Sequence, residues 1–127
     1  MKNLFAAACL ALVAIPLTAQ THQGVSLFEQ GRYEEARRIL TPLVNDPQAL
    51  FTLGRISLNM NDPEKAADFL EKAVEKAPNN AEYHLFLADA YGTQAQHANL
   101  FSQASLGSKA KTHLERAVEL DPNLLDA

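Results

Sequence analysis

Apolar residues fall at helical spacing along most of the chain, and turn-forming residues interrupt them at regular intervals. Leu50, Leu53 and Ser57 mark one face of a helix, and Phe69, Leu70, Ala73 and Val74 mark the face of the next. Farther on, Leu87, Tyr91, Gln94, Ala98 and Phe101 keep the same spacing. Asp46-Pro47 and Asp62-Pro63 each set an N-capping acid before a proline of the first turn. Ala77-Pro78-Asn79-Asn80 ends one helix and caps another. Nothing reads as a strand. The pattern predicts an all-α chain of six helices, at about 22–30, 34–45, 47–60, 63–77, 80–97 and 107–120.

A different pattern opens the chain. After Met1-Lys2-Asn3 comes an apolar run from Leu4 to Leu17, closed by Thr18 and Ala19. A short basic start, an apolar run of this length and a small residue at its end predict a secretory signal peptide over 1–19. The run is shorter than the roughly 20 residues that a membrane span needs. Cleavage after Ala19 leaves one domain, 20–127, in the periplasm or outside the cell. Cys9, the single cysteine, leaves with the signal, so the mature chain has neither a disulfide nor a thiolate metal site.

The chain also matches itself. Leu53 and Leu87 are 34 residues apart, as are Gly54 and Ala88. Ala66, Ala73 and Pro78 recur 44 residues on as Ala110, Ala117 and Pro122, while Gly24 and Gly54, like Ala36 and Ala66, are 30 apart. A period of 34 is thus shortened once by four residues and lengthened once by ten. In each copy a small residue sits where two helices cross, Gly54 or Ala88 on the first helix and Ala66 or Ala110 on the second. Small residues there let helix axes approach closely.

In this register the chain resembles the tetratricopeptide-repeat (TPR) family, whose pattern runs W-x2-L-G-x2-Y, A-x3-F, P. The middle copy offers Leu50-x2-Leu53-Gly54-x2-Ser57, Ala66-x3-Leu70, Ala73 and Pro78. The third offers His84-x2-Leu87-Ala88-x2-Tyr91, Ala110-x3-Leu114, Ala117 and Pro122. The first copy is degenerate, with Gly24, Leu27, Gly31 to Ala36 and Leu40. The resemblance implies a right-handed solenoid of about three helical hairpins, at about 20–46, 47–80 and 81–124, the third with a ten-residue insertion. No such hairpin buries its apolar face alone, and about three stacked repeats are the usual minimum.

Charge and chemistry narrow the function. The chain has 11 basic and 15 acidic residues, and removal of Lys2 leaves ten basic ones. The charges are interspersed, as in Glu34-Glu35 before Arg37-Arg38, which suits solvated helix faces and offers no basic stripe for nucleic acid. His84 takes the place of the motif's large aromatic, which gives it a packing role, and no two histidines have the i,i+4 spacing of a helical metal site. No catalytic motif or phosphate-cradling glycine loop stands in the sequence. The expectation is a chain without enzymatic activity, cofactor or metal.

The resemblance implies surface recognition. In TPR proteins the first helices of successive repeats line a concave groove that holds an extended or helical peptide. Carried over by position, the groove candidates are Val25 and Phe28, then Phe51, Arg55, Leu58 and Asn59, then Leu85, Asp89 and Thr93. The lysine and asparagine pattern with which some members clamp a terminal carboxylate is absent, since Phe51, Arg55, Leu85 and Asp89 stand in its place. Apolar side chains with one arginine suit an apolar or mildly acidic segment.

Two features are peculiar to this chain. The ten extra residues fall within Gln94–Gly107, where they either lengthen both helices by about a turn or form a small apolar-faced loop. Leu100 and Phe101 in this stretch are partner contacts, or else Phe101 and Leu106 merely cap the hairpin end. Near the other terminus, Asn123-Leu124-Leu125 resembles the start of a fourth repeat, so the last hairpin is expected to expose Leu114, Val118 and Leu124. The sequence therefore predicts a protein- or peptide-binding scaffold of the bacterial envelope, serving assembly or secretion. The alternative is a structural or oligomerising module with no separate ligand, homo-oligomeric through that flank.

Overall fold

The computed structural model describes residues 15–126. Most of the apolar run over 4–17, and Cys9 with it, lies outside the described residues. The chain forms α1 (Leu17–Glu29), α2 (Tyr33–Leu40), α3 (Pro47–Asn59), α4 (Pro63–Lys76), α5 (Ala81–Gln96) and α6 (Leu100–Leu120). They pair as three hairpins, α1 with α2, α3 with α4 and α5 with α6. Each later hairpin stacks on the one before, so that α1, α3 and α5 succeed one another along one side. There is no strand among the described residues.

Local chemistry fixes the boundaries. Asp46 caps α3 by accepting from the Gln48 amide at 3.0 Å, and Asp62 caps α4 by accepting from the Lys65 amide at 3.1 Å. Asn80 and Asn99 cap α5 and α6 in the same way, accepting from the Tyr83 and Ser102 amides. α1 and α3 end alike. Gly31 (φ 78°) and Asn61 (φ 59°) take the left-handed conformation that closes a helix. Behind them the Arg32 amide reaches the Leu27 carbonyl, and the Asp62 amide reaches that of Ser57, both at 2.9 Å. The two bonds are the six-to-one closure of a Schellman motif. α2 is shorter than the periodicity predicts, because Pro42 has no amide to continue the ladder. Thr41–Leu43 tighten into a 3₁₀ turn instead.

Small residues set the helix spacing. A Cβ on Gly24 would stand 2.4 Å from Leu40 Cδ2, and one on Gly54 would stand 2.6 Å from Leu70 Cγ. Leu40 and Leu70 are fully buried in these contacts, as are Ala36 and Ala66 beside them. One core cluster joins α1, α2 and α3 through Leu27, Leu40, Leu53 and Ile56. Another joins α3, α4 and α5 through Leu50, Leu70, Leu87 and Tyr91. In the third hairpin Ala88 replaces the glycine, and Leu114, the counterpart of Leu70, stays 39% exposed. Of α6 only Ala117 is buried.

The stretch 94–107 adds to helices. α5 has 16 residues against 13 in α3, and α6 has 21 against 14 in α4, with His97–Asn99 between them. α6 therefore begins seven residues before the expected position.

Candidate functional site: the face of α1, α3 and α5

Arg55 lies near the middle of this face, on α3. Its guanidinium carbon stands 4.7 Å from the centroid of Phe28, 5.6 Å from that of Phe51 and 4.9 Å from that of Phe86. One ring comes from each hairpin. Phe51 anchors the group, stacking on Tyr83 at 4.6 Å and meeting the edge of Phe86 at 5.2 Å. Phe28 packs against Tyr33 at 5.5 Å. Aromatic faces are electron-rich, so three of them hold a cation in place while excluding water from one side of it.

Phe28 and Phe51, read from the sequence as groove side chains, are thus more than nine-tenths buried. They form a floor that Arg55 covers. Leu58, Val25 and Thr93 are half-buried, and Leu58 packs on the core cluster that contains Phe51. Asn59 and Asp89 are exposed. Leu85 and Asp89 line a concavity of about 440 Å³ with Phe86, Ala88, Ala110, Lys111 and Leu114. The structure brings Phe28, Phe51 and Arg55 into one cluster and Leu85 with Asp89 into an adjoining one. Phe86 belongs to both. Sequence reasoning missed Phe86 and Lys111, and placed Leu114 on the open flank of the last hairpin without its part in this concavity. Ala88 in a glycine position was the available sign that α5 and α6 leave space between them.

Leu100 and Phe101, the insertion candidates, are 83% and 91% exposed and take no part in this face. Leu106 divides from them, packing against the core.

Behind the concavity α5 and α6 are joined by polar contacts. His84 is buried, with Nε2 2.7 Å from the Pro78 carbonyl and Nδ1 2.9 Å from Nδ1 of His113. A carbonyl only accepts, so His84 Nε2 carries the proton, and in the neutral pair His113 donates to His84 Nδ1. Burial pushes the His113 pKa down and the neighbouring His84 adds to this, while Glu71 opposes it. The Tyr91 hydroxyl donates to Glu71, and burial followed by that contact pushes its pKa up. Among the described residues no three potential ligands gather as a metal site, and no helix is long and apolar enough to cross a membrane.

The comparisons agree with this architecture. A mouse protein, "Interferon-induced protein with tetratricopeptide repeats 2", is 28% identical over 97% of this chain, which spans only 24% of that relative. The crystal structure of a thermophilic TPR protein of Thermus thermophilus, TTC0263, superposes with a TM-score of 0.74 at 22% identity. It covers 85% of this chain, which spans 58% of that one. The type III secretion chaperone SycD of Yersinia enterocolitica, in complex with a peptide of the translocator YopD, gives 0.67 at 17% identity. There 87% of this chain and 79% of the other are covered. A family profile described as "Regulator of microtubule dynamics protein 1-3" matches residues 59–126. The profile described as "Tetratricopeptide repeat" matches 27–90, half of the chain, and with the three stacked hairpins it places this protein in the tetratricopeptide-repeat family.

Proposed function

We propose that the chain is a non-enzymatic module that binds a protein or peptide segment on the face of α1, α3 and α5. The observation that carries this is the joining of the Arg55 cluster to the 440 Å³ concavity through Phe86. That volume is within the roughly 300–1,000 Å³ of binding pockets, and its walls are mostly apolar with a few polar groups at the edge. The SycD complex with a translocator peptide is a precedent for the fold in such a role. The Lys2 start and the Leu4–Leu17 run support work outside the cytoplasm, in the envelope, after removal of 1–19, and a role in assembly or secretion fits that location.

A photoreactive residue in place of Asp89, which is exposed on the α5 face, is expected to cross-link the partner in whole cells. The same residue in place of Lys72, exposed on α4, is expected not to. Equal adducts from both positions, or adducts from Lys72 alone, would overturn the assignment of the face.

A second reading rests on a separate observation. Leu114, Val118 and Leu125 are 39%, 38% and 57% exposed on one flank of α6, and no helix among the described residues covers them. This flank suits association between copies of the chain.

A further inference from the structure

The Arg55 cluster has an unusual charge arrangement. The four ion pairs among the described residues join Arg32 to Glu35, Arg37 to Glu34, Lys111 to Glu115 and Arg116 to Glu119. None involves Arg55. The arginine side chains that donate hydrogen bonds among these residues are likewise Arg32, Arg37 and Arg116. Arg55 is nevertheless half-buried; Arg37, buried to a like degree, has Glu34 as its partner, and Arg32, Arg38 and Arg116 are exposed. A guanidinium has five N–H donors in its plane, and the aromatic rings around this one offer them no oxygen to bond. A partly desolvated cation in this state lacks the anion that would balance it.

We propose that Arg55 is a carboxylate-binding subsite, so that the bound segment carries an Asp or Glu side chain beside a bulky apolar residue. This inference rests on the α1–α3–α5 face being the binding face. Three features support it. The planar fork of arginine matches a carboxylate two bonds at a time, which a lysine could not do. The rings from three hairpins hold the fork before any ligand arrives, so little side-chain freedom is lost on binding. And Phe86, one of those rings, is also a wall of the apolar concavity. A carboxylate on Arg55 and an apolar side chain in the concavity therefore belong to one short segment. Asp89 stands one 34-residue period after Arg55 and lines the same concavity, with Lys111 across from it. With a formal charge of −4 the chain does not draw acidic partners by its overall field, so the preference is local to Arg55.

The test is selection of random twelve-residue peptides displayed on phage against the full chain and against Leu85→Asp. The selected peptides are then synthesised with amidated C-termini, each as a carboxylate form and its Gln or Asn isostere. The expected result is enrichment of acidic residues next to Leu, Ile or Phe. The isosteres should bind at least tenfold more weakly. Arg55→Gln should lose that difference, and Arg55→Lys should keep part of it, with thermal melting followed for each variant. Peptides that need Leu85 yet bind equally as acid and amide would overturn the carboxylate subsite and leave the binding face standing. That comparison uses the unaltered protein, so it holds even where Arg55→Gln fails to fold. An acid–amide difference that persists in a folded Arg55→Gln would overturn it too, making Arg55 only a cover for the rings. No selected peptide, or peptides indifferent to Leu85→Asp, would overturn the binding face and the subsite together.

Discussion

His84 and His113 meet Nδ1 to Nδ1 at 2.9 Å, edge to edge with centroids 5.2 Å apart and planes 25° apart, joining α5 to α6. The contact needs a lone pair on one ring and a proton on the other, so it holds with both rings neutral and weakens when both are charged. His113 has its pKa pushed below the usual 6.5 by burial first and by His84 second. In the unfolded chain it takes up a proton near 6.5; in the folded chain it does so at lower pH. The unfolded state therefore binds more protons below 6.5, and stability falls as pH drops through that window. Above it the contribution is fully present. Urea unfolding between pH 7.5 and 5, above the range where carboxylates titrate, is expected to show this decline. His113→Gln is expected to flatten it. An unchanged slope in that variant would remove His113 as its source.

The close approach at Gly54 sets two known effects against each other. Alanine in a helix interior is favoured over glycine by about 1 kcal/mol. At Gly54 the added Cβ would meet Leu70 at 2.6 Å, a fully buried side chain held on both sides, and overpacking of this kind costs about 1–3 kcal/mol. Gly54→Ala is expected to destabilise. At Gly92, inside α5, an added Cβ would meet nothing within 4 Å, so Gly92→Ala is expected to stabilise by about 0.5–1 kcal/mol. Thermal denaturation of the two variants side by side decides the matter. A rise of both midpoints would mean that α3 does not pack closely on α4 at Gly54.

Much of this packing was legible in the sequence. Gly54 and Ala66 recur in register with Ala88 and Ala110, and the structure puts Gly54 against Leu70 and buries Ala66 completely. The Asp-Pro pairs fixed two helix starts because capping is local chemistry. The floor under Arg55 was not legible. The resemblance to TPR proteins marks Phe28 and Phe51 as facing the groove, but whether a neighbouring cation folds over them depends on three separate hairpins. The His84–His113 contact was hidden for a related reason. The two are 29 positions apart, the interval includes the stretch that lengthens α5 and α6, and no spacing rule covers such a return.

Asp46 connects the first two hairpins. One carboxylate oxygen accepts from the Gln48 amide at 3.0 Å, and the other accepts from the buried Thr21 hydroxyl at 2.6 Å. Asp46→Ala removes a helix cap worth about 1 kcal/mol. It also leaves Thr21 without its partner on α3, so a loss of about 2 kcal/mol is expected. Asp46→Asn, which can still cap, is expected to lose less. Equal losses in the two variants would show that the cap contributes nothing and that the whole loss lies in the carboxylate's contact with Thr21.

Removal of 1–19 would take away Leu17–Ala19 from the start of α1, and with them the Leu17 carbonyl to which the Thr21 hydroxyl also donates at 3.1 Å. The protein recovered from cells is expected to begin near Gln20, because the Leu4–Leu17 run has the length of a signal core. Intact-mass measurement checks this directly. A native protein that retains Met1–Ala19 would end the case for cleavage there.

The flank of α6 supplies the last prediction. Leu114, Val118 and Leu125 lie together with Glu115 and Glu119 around a shallow concavity of about 390 Å³. The two glutamates are paired to Lys111 and Arg116 on the same helix, so the flank carries little net charge to keep a second copy away. Contiguous exposed apolar surface favours association, and contact of one patch with its own copy closes as a two-fold dimer. Leu124 is half-buried while Leu125 stays 57% exposed, so the turn after α6 covers the flank only in part. Sedimentation over a concentration series is expected to show a dimer that Val118→Asp abolishes without lowering the melting temperature, since Val118 is not a core residue and does not line the concavity between α5 and α6. A monomer at every concentration up to about 100 μM, where a contact of roughly −5.5 kcal/mol would be visible, would count against self-association. The flank would then have to meet a different chain, and Val118→Asp would be expected to weaken that contact instead.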